Sequence, residues 1–157
     1  MVDTNGLETS KEHIKDAVEK GAIILCGGKK PENPELLKGN FFEPTVLVNV
    51  NDNMIIMHEE TFGPVVAIDT FENIEEAINK ANSINYGLVS YIYTNNLNTV
   101  FKMCASVDSG NIAVNNINPD SLYAPYGGRN ESGYGVELSK HAMDQYLQFK
   151  HLKIEIE

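Results

Sequence analysis

Two adjacent carboxylates, Glu59 and Glu60, lie in the stretch His58-Glu59-Glu60-Thr61-Phe62-Gly63-Pro64-Val65-Val66, just ahead of an aromatic residue and a Gly-Pro turn. Pro64 locks its own φ and biases Gly63 away from helix, so the chain must turn sharply there and then extend. A carboxylate held at such a turn, at the mouth of a strand, is placed to accept hydrogen bonds from sugar hydroxyls. The alternative is that Glu59 and Glu60 are solvated loop charges, and spacing alone favours that plainer reading. Asn115 and Asn116, at the end of an apolar run, are able to donate amide hydrogen bonds, although capping of a turn accounts for them more simply.

Other groups suggest less chemistry. His13, His58, His141 and His151 are scattered without metal-ligand spacing, and His58-Glu59 lacks the second histidine of a zinc-protease helix. No phosphate loop of the G-x-x-x-x-G-K-[ST] type is present. Gly127-Gly128 and Gly133-x-Gly135 do not follow a strand and open a helix, so they read as a tight chain reversal. Cys26 ends an apolar strand and Cys104 falls on the apolar face of a helix, which predicts small buried hydrophobes with raised pKa values rather than activated thiolates.

These groups need elements to hold them. Thr9-Ser10-Lys11-Glu12 reads as a capping box, followed by Ile14, Ala17 and Val18 at helical spacing and Gly21 as a stop. Strands are expected at Ala22–Cys26, Thr45–Val50, Val65–Ile68, Leu88–Tyr93 and Asn111–Asn115, with a surface loop over Lys29–Gly39. Asn73 caps a helix bearing Ile74, Ala77, Ile78 and Ala81, and Asn95 or Asn96 caps one bearing Leu97, Val100, Phe101 and Cys104. This alternation predicts an α/β fold with a mainly parallel sheet, right-handed crossovers and flanking helices. The loop Asn116–Tyr123 follows a strand C-terminus, where α/β proteins place ligands. A helix over about Glu137–Phe149 and a half-buried strand at Leu152–Glu157, alternating apolar and charged, complete the chain.

The 157 residues are enough for one domain with a core, and a net charge of −10 with a single arginine, Arg129, argues against nucleic acid as a partner. No apolar run is long enough to span a bilayer, and the N-terminus has no signal-peptide pattern. Two distant cysteines without a CxxC pattern suit reduced thiols in the cytoplasm.

Taken in order, the motifs resemble those of NAD(P)-dependent aldehyde dehydrogenases. Glu59–Val65 is similar to the E-E-x-F-G-P-V motif, Gly21-Ala22 through Gly27-Gly28 to G-A-x-x-x-x-G-G, and Phe42–Val46 to F-x-P-T-V. Asn85-Tyr86-Gly87-Leu88, Gly110–Asn115 and Pro125–Gly135 resemble the later Y-G-L, G-x-x-x-V-N and P-F-G-G-x-K-x-S-G-x-G segments. Arg129-Asn130 departs from the last, because its customary lysine is missing. Met143–Lys150 leans towards succinate-semialdehyde dehydrogenases.

The resemblance covers nearly the whole chain and implies the C-terminal third of such an enzyme. Residues 1–150 would belong to the catalytic domain, and 151–157 would form an oligomerisation strand. Glu60 would hold the nicotinamide-ribose hydroxyls and Phe62 would pack beside the nicotinamide. Asn116–Tyr123, with Ile117, Ser121 and Tyr123, would line the aldehyde entrance.

In the family, the nucleophilic cysteine, general-base glutamate and dinucleotide-binding fold lie upstream of the segment that Met1 begins. A split or truncated reading frame, or a fragment, accounts for that expectation. NAD or NADP belongs to the intact enzyme, with no tight binding expected by this chain alone, which is expected to be inactive. The partners implied are further copies joined through the C-terminal strand, or a separately encoded N-terminal part. A non-catalytic association module is the rival reading, and a self-sufficient thiol enzyme using Cys26 or Cys104 a third.

Overall fold

Asp3 begins the first helix: its backbone is extended, and its carboxylate accepts a hydrogen bond from the Gly6 N–H. The expected capping box at Thr9–Glu12 therefore lies inside helix α1, Thr4–Glu19, and the aspartate upstream does the capping. The computed structural model describes residues 1–156. They divide into two units, Met1–Thr70 and Phe71–Glu157.

The first unit carries strands β1 (Ile23–Cys26), β2 (Thr45–Val48) and β3 (Val65–Ile68) in one sheet, in that order. β1 pairs antiparallel with β2, with an irregularity between Ile24 and Cys26, and β2 pairs parallel with β3 in the register Thr45↔Val65 to Val48↔Ile68. Its core joins Ile14 and Ala17 of α1 to Ala22, Leu47, Val50 and Met54, with Phe42, Val65 and Ala67 packed against them. Burial of that apolar face is what holds α1 on the sheet. Gly21 follows the helix at φ 105°, a conformation that favours glycine, and turns the chain into β1.

The second unit carries α2 (Ile74–Ala81), β4 (Tyr86–Gly87), β5 (Val89–Ile92), α3 (Leu97–Ser106), β6 (Asn111–Val114), β7 (Arg129–Asn130) and α4 (Ser139–Asp144). β5 and β6 pair parallel across the α3 crossover, and β4 pairs antiparallel with β7. Asn73 caps α2 by accepting from the Glu76 N–H, and Asn96 caps α3 by accepting from the Thr99 N–H. No helix among the described residues is long and apolar enough to cross a membrane.

The class is α/β, but one mainly parallel sheet is not what forms. Among the described residues there are three small sheets, one of them mixed and one antiparallel. The excursion through residues 27–44 returns the chain as an antiparallel neighbour of β1, which an alternating strand–helix pattern cannot show. α4 is shorter than Glu137–Phe149, and no strand occurs at residues 152–156. Leu152, Ile154 and Ile156 alternate as a strand would, yet stand exposed, because a strand without a ladder partner has nothing to hold it. Glu157 lies outside the described residues.

The expected burial of the two cysteines is also corrected. Cys26 and Cys104 are exposed, because every residue of the edge strand β1 is exposed, and so are Leu97 and Phe101 of the α3 face.

Candidate functional site

The acidic turn begins where a short 3-10 helix, Ile55–Met57, comes off the core. Asp16 of α1 holds its start by accepting from the Ile55 N–H at 2.8 Å, and Lys20 donates to the same carboxylate at 2.6 Å. The Lys20 hydrogen bond, then that from Ile55, keep the Asp16 carboxyl below the usual aspartate range. The Ile55 carbonyl accepts from both the His58 and Glu59 N–H groups at 2.9 Å. At the far end, the Pro64 carbonyl accepts from Thr45 at 2.7 Å as β3 starts beside β2. Both ends are thus tied to regular structure.

Between them, Phe62 adopts φ 46°, a left-handed conformation uncommon for a bulky side chain. Such strain persists only where surroundings enforce it, and it concentrates at ligand sites. Gly63 lies against α1: a Cβ there would fall 2.1 Å from the Ser10 hydroxyl oxygen, so only glycine fits. Phe62 is 83% exposed, and Glu60 is exposed, with no hydrogen bond or ion pair among the described residues. Glu59, Glu60, Phe62, Pro64 and Val65 border a cavity of about 590 Å³. A free carboxylate beside an exposed aromatic at its rim suits a ring-bearing ligand with vicinal hydroxyls. The structure therefore brings the two expected cofactor residues, Glu60 and Phe62, together.

Ile117, Ser121 and Tyr123 lie in the second unit, in the loop that follows β6. Ile117 and Tyr123 are almost fully exposed. The Ser121 hydroxyl accepts from the Tyr123 N–H at 3.4 Å and its carbonyl accepts from the Ala124 N–H at 3.1 Å. The Leu122 carbonyl accepts from Ser139 at the start of α4, which ties the loop to the far side of the glycine-rich reversal. Asn115, with φ 52°, spends its side-chain amide on both backbone groups of Thr94, so it caps the strand end, in line with the simpler expectation.

The glycines do form a close chain reversal. A Cβ at Gly110 would meet the Gly127 carbonyl oxygen at 1.8 Å, and buried Asn111 donates to the Leu88 and Gly127 carbonyls. Arg129 donates to Asp108 at 2.6 Å and Asn130 donates to its other oxygen at 3.1 Å. The Arg129 bond first, then that from Asn130, hold the Asp108 carboxyl low. Asn130, at the family's lysine position, thus serves to staple β7.

Sequence reasoning sets His13 aside for want of metal-ligand spacing. The imidazole is 3% exposed, with Nδ1 3.0 Å from the Thr61 hydroxyl. The usable signal is its place beside Ile14 and one turn from Ser10, on the buried face of α1.

Fold and site define an α/β protein with a carboxylate and an aromatic ring exposed on a turn held at both ends. The chain belongs to the aldehyde dehydrogenase family, whose sequence profile matches residues 1–152. It is 38% identical over 156 residues to glutarate-semialdehyde dehydrogenase of Pseudomonas putida, covering 99% of this chain and 31% of that one. It is 38% identical over 154 residues to the NADP(+) succinate-semialdehyde dehydrogenase of Escherichia coli, covering 98% of this chain and 31% of the relative. Among solved structures, betaine aldehyde dehydrogenase of Staphylococcus aureus in complex with NAD+ superimposes with TM-score 0.91 at 36% identity. That match covers 97% of this chain and 30% of the other. The chain spans about three-tenths of the length of these relatives.

Proposed function

We propose that this chain supplies the nicotinamide-ribose seat and the aldehyde entrance of an enzyme that oxidises an aldehyde to a carboxylic acid with NAD or NADP. The observation that supports this best is the pairing of an unengaged carboxylate, Glu60, with an exposed, strained Phe62 on a turn held at both ends. Glu60 accepts from the ribose hydroxyls and fixes the sugar, while the Phe62 ring lies against the nicotinamide and excludes water from one side. The cofactor supplies the hydride acceptor; orientation within contact distance of the aldehyde is the contribution of these residues. Ser121 offers a hydroxyl, and Ile117 and Tyr123 offer apolar surface, to an incoming aldehyde. Succinate semialdehyde is the substrate we favour, on the Met143–Lys150 segment and the identity to the Escherichia coli enzyme.

The chain by itself does not turn over in this reading. Thiol-dependent oxidation needs a thiolate, a base and an oxyanion site together. Cys26 is exposed and donates to the Pro44 carbonyl at 3.9 Å, and Cys104 stands exposed on α3. The chain works in the cytoplasm, together with the N-terminal part of the enzyme that it completes or with further copies of itself.

A second reading, a non-catalytic association module, is favoured by the exposed alternation of Leu152, Ile154 and Ile156. Such a segment is a template for strand addition. The purified chain is assayed for NADH and NADPH formation with succinate semialdehyde and simple aldehydes. In parallel, the matching segment of the Pseudomonas putida relative is replaced by this chain. Activity of the graft and silence of the chain alone support the first reading. A folded, oligomeric but inactive graft supports the second. Turnover by the chain alone that is lost in Cys26→Ser or Cys104→Ser overturns both. Deleting residues 152–157 shifts the sedimentation profile towards monomer if the tail joins copies.

A further inference from the structure

Thr61 and Gly63 of the acidic turn meet helix α1, and Glu59 lies near it. His13 Nε2 lies 3.8 Å from a Glu59 carboxylate oxygen, and its Nδ1 lies 3.0 Å from the Thr61 hydroxyl. Gly63 abuts Ser10, one turn earlier on the same helix face and fully buried. Ser10 is fixed in turn, because its hydroxyl donates to the Gly6 carbonyl at 2.8 Å. Glu60 and Phe62, which flank Thr61 in the chain, are exposed, Phe62 to 83%.

We propose that His13 is the positioning residue of the nicotinamide seat: it bonds Thr61, between Glu60 and Phe62 in the chain, and so holds the turn from which they emerge. This rests on the reading of that turn as a cofactor site. Nδ1 is within hydrogen-bond distance of the Thr61 hydroxyl, whereas Nε2, at 3.8 Å from the Glu59 carboxylate, lies beyond it. Glu59 lies near His13, and Glu60, with no hydrogen bond or ion pair among the described residues, is left for the ligand. The enforced left-handed Phe62 lies between two of the gripped residues, where removing the grip would let the backbone relax.

The test uses the full chain with His13→Phe, His13→Gln, Thr61→Val and the double variant His13→Phe/Thr61→Val, followed by amide hydrogen exchange. The Glu59 and Val65 N–H groups are the reporters, bonded to the Ile55 and Gly63 carbonyls. Exchange there should rise about fivefold in His13→Phe and in Thr61→Val, the shift expected from losing one ordinary hydrogen bond. The double variant should exceed neither single by much, and His13→Gln should recover most of the protection. β2 amides at Leu47 and Val48 should not change.

Unchanged reporters, or an equal rise at Leu47, overturn the proposal. Should His13→Phe fail to fold, Thr61→Val decides alone, since it removes the same bond from the less buried partner. Separately, the KM for NAD+ of the enzyme grafted with this chain is compared with and without Thr61→Val. A severalfold rise supports the seat. An unchanged KM, with exchange raised at the reporters, shows that His13 holds the turn without positioning a cofactor seat and overturns the proposal.

Discussion

The acidic turn of the first unit and the Asn116–Tyr123 loop of the second are both exposed, yet they are held in opposite ways. The turn is gripped from outside itself: by Asp16 at its approach, by His13 and Ser10 along its length, and by β2 at its exit. The loop is held by short-range bonds of its own, Asn116 to Asn118 and Ser121 to Tyr123 and Ala124, with one tether from Leu122 to Ser139. A segment fixed by packing cannot drift without disturbing a core, whereas one fixed by itself can be rewritten. That contrast suits the two roles proposed above, a seat for an unchanging cofactor ring in the first unit and an entrance for varied aldehydes in the second. The relatives have matching variety, one named for glutarate semialdehyde and another for betaine aldehyde.

The comparison is broken most forcefully at Gly63. Gly63→Ala drives a methyl group into the buried Ser10 hydroxyl, which can rotate away only by giving up its bond to Gly6. We expect a loss of about 1–3 kcal/mol in chemical denaturation, and a wild-type-like curve would show that the turn is not gripped. At the loop, Ser121→Ala in the grafted enzyme should leave stability alone. Its kcat/KM for the aldehyde should fall about fivefold, one ordinary hydrogen bond, with the NAD KM unchanged. A larger stability loss there would mean the loop is packed after all.

The smallest effect concerns the scaffold of the second unit, where Arg129 and Asn130 hold Asp108 ionised below its ordinary range. The unfolded chain then binds more protons than the native one at acid pH, so stability falls as pH drops below about 4 and is fully present above about 5. Asp108→Asn should lower stability modestly at pH 6, with the difference from wild type closing as pH falls towards 3. Parallel curves at all pH values would remove Asp108 from the acid limb. The exposure of this pair keeps the expected change small.

The legible parts of the sequence are those decided locally. Asn73 and Asn96 announce their helices through side chains that cap, and Val65–Ile68 becomes β3 because a proline and an apolar run define a strand start by themselves. The exposed turn that carries Glu60 and Phe62 is readable because Gly63-Pro64 breaks the chain by itself. What fails depends on distant chain. β1 pairs antiparallel only because the loop before Pro44 turns back, and Cys26 and Cys104 occupy apolar positions on faces that residues 1–156 leave uncovered. His13 is invisible for a related reason, since its partner Thr61 lies 48 residues away. The tail shows the same limit, because its alternation marks a strand only where a partner edge exists.

The central claim is that Glu60, and not its neighbour, is the ligand-facing carboxylate of a cofactor seat. The direct measurement is the NAD or NADP dependence of Glu59→Gln and Glu60→Gln in the grafted enzyme, with thermal stability recorded beside it. Glu60→Gln should lower kcat/KM for the cofactor by roughly 10- to 100-fold, the loss of hydrogen bonds to a charged group, at unchanged stability. Glu59→Gln should cost the cofactor little. Equal effects of the two variants, or a stability loss in Glu60→Gln with unaltered cofactor kinetics, would contradict the account.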